Sequence, residues 1–437
     1  MRFARYLPDF GWDPIVLTVS PEALGERTDP ALAADLPPGL PIVRTGLWLP
    51  ADALGRLRGK PRQPQADAEA EGGGEPASRD GSAAVGAAPP SWGRRIADVL
   101  LRTPDDKAWW FWSALAPGLR IIRAQSPAVI LTTGPPHSTH LVGLALSRMT
   151  RVPLVLDFRD PWARTPWGPR KQEPVSQKLI VRMERSAVRR AARVLLNTTR
   201  LRDDFAAHYG PLLASRFTLL PNGYDPELLP RAQALLRQHR PSGPRTQVSV
   251  VHVGSLYKGR DPVPVLEAIA RLRRDGLPVT FRQVGNCAKV FSPEREIQRL
   301  GLEGAATFEG AVPHQTALAR TAAADILLAI QPGTDLQVPG KIFEMMLFEK
   351  PIIGVVDEGA TSDLIAQYRL GYTVRAGDVE GLVQAIRRVI DEGLDAGLAG
   401  RHEAMLRFNG HTLTGELARL FDEVAAASAR RHRAKDL

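Results

Sequence analysis

From Ala128 onward the chain alternates short apolar runs, glycine- or proline-marked turns and amphipathic stretches, and it does so in two separate series. This alternation constrains the fold more than any other feature, because strands separated by helices build parallel α/β sheets. In the first series, Val129 to Thr133 reads as a strand, Gly134 to Pro136 as its turn and His137 to Ser147 as a helix. Leu154 to Phe158 is the next strand, Gln177 to Ala192 a basic helix, and Val194 to Asn197 and Phe217 to Leu220 are further strands. The second series predicts strands at Val248–Val253, Val279–Val284, Ala306–Phe308, Ile326–Ile330 and Ile352–Val356. Helices are expected near Val263–Arg274, Arg295–Leu300, Gln315–Ala322 and Val379–Ile390. The expected domains are 1–230 and 247–400, joined by a linker at 231–246, with 401–437 forming a long terminal helix.

The first 127 residues are less regular. Met1 to Phe10 reads as a helix with Phe3, Leu7 and Phe10 on one face, followed by a strand at Pro14 to Val19. An α/β domain normally opens with a strand and a glycine-rich turn. Both are missing here, so the first domain is expected to lack its first strand, as if the chain began inside its first helix. Residues 59–90 are rich in Gly, Ala, Pro and Glu, bury too little apolar surface to offset ordering, and are expected to be a disordered insertion. Order should return at Trp92. Trp109, Trp110, Phe111 and Trp112 then follow Pro104-Asp105-Asp106, and suit either a core or a membrane interface.

At 437 residues, 44% of them hydrophobic, the chain can build two full cores. One cysteine, Cys287, excludes disulfides within the chain and cysteine-rich metal sites. No apolar run has the length of a membrane span, and a cytoplasmic protein is expected, with peripheral attachment to the inner membrane face open to it. The net charge of +10 calls either for an anionic partner (nucleic acid, anionic lipid or a phosphorylated substrate) or for a bland origin in an alanine- and arginine-rich composition. Basic residues interleaved with stacking aromatics, as nucleic-acid grooves require, are not found. The charge is dense between Arg170 and Arg193, where eight Arg or Lys accompany two Glu.

Candidate site residues sit in the turns where a doubly wound sheet places its ligands. Gly254-Ser255-Leu-Tyr-Lys258-Gly-Arg260 leaves a strand and precedes a helix. Gly254 permits close backbone approach to a phosphate, while Lys258 and Arg260 can neutralise a diphosphate. A solvated basic turn fits the same residues. Gly285-Asn286 is a close-approach turn, and Pro221-Asn222-Gly223 a plain one. Asp157-Phe-Arg159-Asp160 ends a strand and can bind sugar hydroxyls or act as a base, although an internally paired turn also fits. His137 opens a helix; His140, one turn on, is expected to be half-buried packing. Lys341 and Glu344 share a face of the helix opened by Pro339-Gly340, where the lysine can meet phosphate and the carboxylate two hydroxyls of a ribose or sugar. A solvated pair is the alternative. No metal site is expected, since no third ligand accompanies His137 and His140, and no G-x-S-x-G or H-E-x-x-H motif occurs.

Taken together, T-T-G-P-P-H-S at Thr132, D-F-R-D-P-W at Asp157, L-P-N-G-Y-D at Leu220, H-V-G-S-L-Y-K-G-R at His252, F-E-G-A-V-P-H at Phe308 and P-G-K-I-F-E at Pro339 resemble the GT-B glycosyltransferases, specifically the family 4-like enzymes of bacterial cell-surface polysaccharide synthesis. The resemblance implies two Rossmann-like domains facing across a cleft, with the terminal helix crossing back to the first. It implies a nucleotide-diphosphate sugar donor bound by the second domain, a lipid-linked or glycan acceptor bound by the first, and retaining transfer with neither metal nor cofactor. Lys258 and Arg260 would stabilise the leaving diphosphate, Glu344 would hold the ribose, and Lys341 would be a secondary donor contact; His137 and Asp160 are the further catalytic candidates. The sequence departs from the family at Leu336, where another glutamate is usual, at Glu349, and in the missing glycine-rich loop. These departures keep a catalytically inactive scaffold open as an alternative, with a nucleotide-sugar epimerase of the same fold as a third.

Overall fold

A computed structural model describes residues 2–24, 36–47, 103–164, 174–239, 246–257, 259–288, 290–394 and 400–433. The expected insertion at 59–90, the return of order at Trp92, and Lys258 all lie outside these residues. The chain divides into two compact units, one running to Pro221 and resuming at Thr414, the other spanning Asn222–Leu413.

In the first unit, β3 (Ile130–Gly134), β4 (Leu154–Phe158), β5 (Arg193–Leu196) and β6 (Phe217–Leu219) form a parallel sheet in that order. All five residues of β4 are buried, as expected for a strand covered on both faces. The helices Ser138–Thr150 and Pro174–Arg190 supply the crossovers, and β1 (Val16–Val19) pairs with β2 (Ile42–Thr45) in a separate parallel pair. The N-terminal stretch differs from the single expected helix: an α-helix Arg2–Tyr6 passes into a 3₁₀ turn, Leu7–Phe10. Pro8, which lacks a backbone N–H, sits at that change. The aromatic cluster is split between two environments. Trp110 is buried and its indole donates to Thr45 Oγ1 at 2.8 Å, whereas Trp112 is 65% exposed.

The second unit carries a six-stranded parallel sheet in the order β12-β11-β10-β7-β8-β9, with β7 Val248–Val253, β8 Val279–Val284, β9 Ala306–Phe308, β10 Ile326–Gln331, β11 Ile352–Val356 and β12 Gly371–Val374. One apolar cluster, around Ile342, Phe343, Met346 and Phe348, and another around Leu266, Ile269, Phe281 and Ile386 supply its core. Each fully buried side chain of this size contributes about 1.5–3 kcal/mol. Strands are added outward from β7 through β8 to β9 and then, on its other side, from β10 through β11 to β12, which makes the carboxyl ends of β7 and β10 the switch point at which such sheets bind ligands.

Two expected boundaries move. The stretch read as a linker begins instead within the helix Leu228–Gln238, whose Ala232 is buried and whose Leu228, Leu229, Leu235 and Leu236 pack on the second unit's core. Leucines at helical spacing override the weak strand signal there. The long terminal helix is two, Arg401–Arg407 and Gly410–Arg433. Between them the Phe408 carbonyl accepts from Tyr224 N, and Asn409 Oδ1 accepts from His411 N at 2.9 Å, as a capping side chain does.

Candidate active site

The turn after β7 is held at almost every peptide group. Gly254 N donates to the Val284 carbonyl at 2.8 Å, and the Gly254 carbonyl accepts from Gln283 Nε2 at 2.5 Å. Leu256 N donates to the Asn286 carbonyl, so the 254–256 and 285–288 turns run side by side. Gly285 allows this approach, since a Cβ there would run into the carbonyl of Gly254, 2.7 Å from its carbon. Its φ of 129° is in any case one that L residues rarely adopt. Gly254, Ser255, Gly285 and Asn286 are thus brought together as one rigid rim.

Arg260 reaches the same rim. Its guanidinium lies 4.2 Å over the Tyr257 ring, donates to the Ser255 carbonyl at 3.3 Å, and bonds Gln331 Oε1 at the end of β10. A stacked, doubly hydrogen-bonded arginine presents its charge in a fixed direction. Lys341, on the short helix Gly340–Met345, brings its ammonium to 3.6 Å from the point a Cβ on Gly254 would occupy. Glu344, one turn further, is half-exposed, with His314 Nε2 at 3.5 Å. Two cations, a glycine rim and an accessible carboxylate therefore gather at the switch point. His252, Gln283, Gln331 and His314 were not nominated from sequence; the first two lie inside strands whose alternation reads only as burial.

The first unit gathers a second polar group at the carboxyl ends of β3, β4 and β5. Asp157 is buried, accepts from Thr133 Oγ1 at 2.9 Å, and has Arg159 Nε at 3.7 Å. Burial raises its pKa above the usual carboxylate value, with the Arg159 charge and the Thr133 hydrogen bond opposing. His137 stacks on Trp162, with ring centroids 5.3 Å apart. His140, expected to be half-buried packing, is fully buried, with Nδ1 2.8 Å from Thr132 Oγ1. Its Nε2 and His137 Nδ1 lie 2.7 and 3.1 Å from the point a Cβ on Gly134 would occupy, and neither atom has a hydrogen-bond partner. Burial holds both rings neutral, His140 with its pKa lowered to about 3. Asn197, missed in the sequence, donates to the Arg159 carbonyl and leaves its Oδ1 without a partner. Asp160 is partly buried in this segment. Asn222 is not part of this group; it belongs to the second unit, where its turn packs on Phe408–Gly410.

A raised folded-state pKa for Asp157 means that its ionisation opposes folding once pH exceeds the unfolded value. Asp157→Asn, which keeps an acceptor for Thr133, is therefore expected to stabilise the protein at pH 7. The gain should shrink as pH falls toward 4, where the native aspartate binds its proton. Urea unfolding at the two pH values measures this; a gain independent of pH would contradict it.

Comparison with known proteins bears on the family and the fold. Residues 71–228 match the family model for Glycosyltransferase Family 4, and residues 247–392 match that for Glycosyl transferases group 1. A 2-deoxystreptamine glucosyltransferase of Streptomyces kanamyceticus is 26% identical over 222 residues, half of this chain and 56% of that protein. Among solved structures, Anabaena Alr3699/HepE in complex with UDP superposes with a TM-score of 0.56 at 22% identity, covering 71% of this chain and 82% of that one. The sucrose-phosphate synthase of Thermosynechococcus elongatus gives 0.56 at 17% identity, covering 72% and 79%. A glycosyltransferase from Rickettsia africae gives 0.58 at 11% identity over 97% and 93%. With the two family models matched in order, one in each half, and the α/β sheets these neighbours share, the chain belongs to the GT-B glycosyltransferases of the family 4 type.

Proposed function

We propose that the protein transfers a sugar from a nucleotide-diphosphate sugar to a lipid-linked or polysaccharide acceptor of the cell envelope, with retention and without a metal, at the inner face of the membrane. The observation that carries the donor half is the meeting of Arg260, Lys341, Glu344 and the Gly254–Gly285 rim at one sheet edge. Cations there offset the charge that develops on the leaving diphosphate. Glu344 accepts the two ribose hydroxyls, and Lys258, from the same turn, adds a further cation. In the first unit, His137, Asp157, Arg159 and Asp160 orient the acceptor, with Asn197 beside them. Retention without a protein nucleophile then rests on positioning.

The ribose role has a direct test. The wild-type protein should prefer whichever of UDP and GDP it binds to the 2′,3′-dideoxy analogue of that nucleotide by about tenfold or more, the worth of one or two charge-assisted hydrogen bonds. Glu344→Ala should bind both alike. A preference that survived the substitution would remove Glu344 from this role.

The membrane half rests on the helix Pro174–Arg190. Lys178, Arg182, Arg185 and Arg189 are exposed at helical spacing, while its only acid, Glu184, is fully buried. No salt bridge to these four cations occurs among the described residues. Each contributes about 1 kcal/mol near an anionic surface. Neutralising all four should abolish flotation with phosphatidylglycerol vesicles at low salt; unchanged flotation would contradict the role. No helix among the described residues is long and apolar enough to cross a membrane.

A further inference from the structure

The carboxyl end of β7 holds a buried group that the donor reading does not use. His252 is 4% exposed and pairs in register with Gln283 on β8. Its Nδ1 lies 2.8 Å from the Leu328 carbonyl oxygen in β10. A carbonyl only accepts, so Nδ1 carries the proton and Nε2 presents a bare lone pair. That Nε2 is buried and has no hydrogen-bond partner. A buried acceptor left without a donor carries an unrecovered desolvation cost, so a donor that can reach it gains a hydrogen bond.

The nearest side-chain cation at this point is the Lys341 ammonium. A Cβ on Gly254 would lie 3.0 Å from His252 Nε2 and 3.6 Å from Lys341 Nζ, so lone pair and ammonium face the same small space, open only because residue 254 is glycine. We propose that His252 is a positioning residue for Lys341, its Nε2 accepting one ammonium hydrogen and so aiming the ammonium at the donor's diphosphate. The inference rests on the donor reading above. It gives the two cations of the rim different supports. Arg260 is set by Tyr257, Ser255 and Gln331, and Lys341 by a buried imidazole. Burial, with the charges of Lys341 and Arg260 adding to it, lowers the His252 pKa to about 3, and the ring stays a neutral acceptor.

Two substitutions separate the two ring nitrogens. His252→Asn keeps a donor for Leu328 but has no acceptor at the outer position; His252→Gln places an acceptor there and gives up the inner bond. Calorimetric titration would use UDP or GDP, whichever the wild-type protein binds, with the matching nucleoside as the phosphate-free control. His252→Asn should weaken the diphosphate about tenfold and leave the nucleoside unchanged, the worth of one charge-assisted hydrogen bond. His252→Gln should return to within about threefold of wild type, and Lys341→Ala should lose about as much as His252→Asn, with little added in the double variant. Equal losses in the Asn and Gln variants, or losses that multiply in the double variant, would overturn the positioning role while leaving the donor site standing. If His252→Asn does not fold, the cycle is run with His252→Gln, whose residual loss must vanish in the Lys341→Ala background. A folded wild-type protein that binds neither nucleotide would overturn the donor reading itself.

Discussion

Gly285→Ala is expected to abolish nucleotide binding and to destabilise the second unit by about 2–4 kcal/mol, combining backbone strain with overpacking. The backbone at 285 sits at a φ of 129°, and a methyl there would press on the carbonyl of Gly254 and, at 3.3 Å, on Ser255 N. Those two residues form the rim on which a diphosphate would rest. Relief requires the 254–256 turn to move away, which breaks its hydrogen bonds to Val284 and Asn286. Gly310→Ala is the control. Its φ of 68° carries strain of about 1–2 kcal/mol, and a Cβ there would meet nothing within 4 Å. Urea unfolding and nucleotide titration of the two variants should therefore diverge, with Gly310→Ala still binding. Equal losses in both would show that conformation alone, rather than close approach, sets the requirement for glycine.

The second large effect is expected at Glu184. This carboxylate is fully buried on the basic helix, accepts from Ala163 N at 2.7 Å, from Arg164 Nη1 at 3.0 Å and from Tyr209 OH at 2.6 Å. Arg164 also pairs with Asp204 and lies over the Phe205 ring. The network fastens the end of the 157–164 segment, which carries Asp157, Arg159 and Asp160. Glu184→Ala leaves the Ala163 amide and the Tyr209 hydroxyl without their acceptor and Arg164 with Asp204 as its remaining carboxylate, at a cost of about 3 kcal/mol. Glu423→Ala, which removes an exposed carboxylate 3.5 Å from Arg193, should cost less than about 1 kcal/mol. Urea unfolding compares them, and near-ultraviolet dichroism reports on Trp162 within the segment. A loss at Glu184 no larger than that at Glu423 would contradict the anchoring role.

Much of this architecture was legible in the chain, for reasons that differ from element to element. The strands of the second unit were placed closely because parallel strands covered on both faces read as continuous apolar runs such as Val248–Val253 and Ile352–Val356. Turn glycines marked the place where the 254–256 and 285–288 turns meet, since close approach at Gly285 is a local demand on the backbone. The hidden parts depend on contacts between distant residues. Nothing near His252 in sequence announces that Leu328 fixes its tautomer, and nothing near Glu184 announces Arg164, Asp204 or Tyr209. The helix break at Phe408–Asn409 is similar, for it is stabilised by Tyr224, far away in the chain. The same limit applied to the basic helix. Its composition suggested a cationic surface, but only the burial of Glu184 leaves a stripe without acid.

The most direct test of the central claim, that the second unit holds a nucleotide-diphosphate donor, is calorimetric titration of the purified protein with UDP and with GDP. Saturable one-to-one binding of one of them, lost in Gly285→Ala, is the predicted result. A folded protein that takes up neither nucleotide would contradict it.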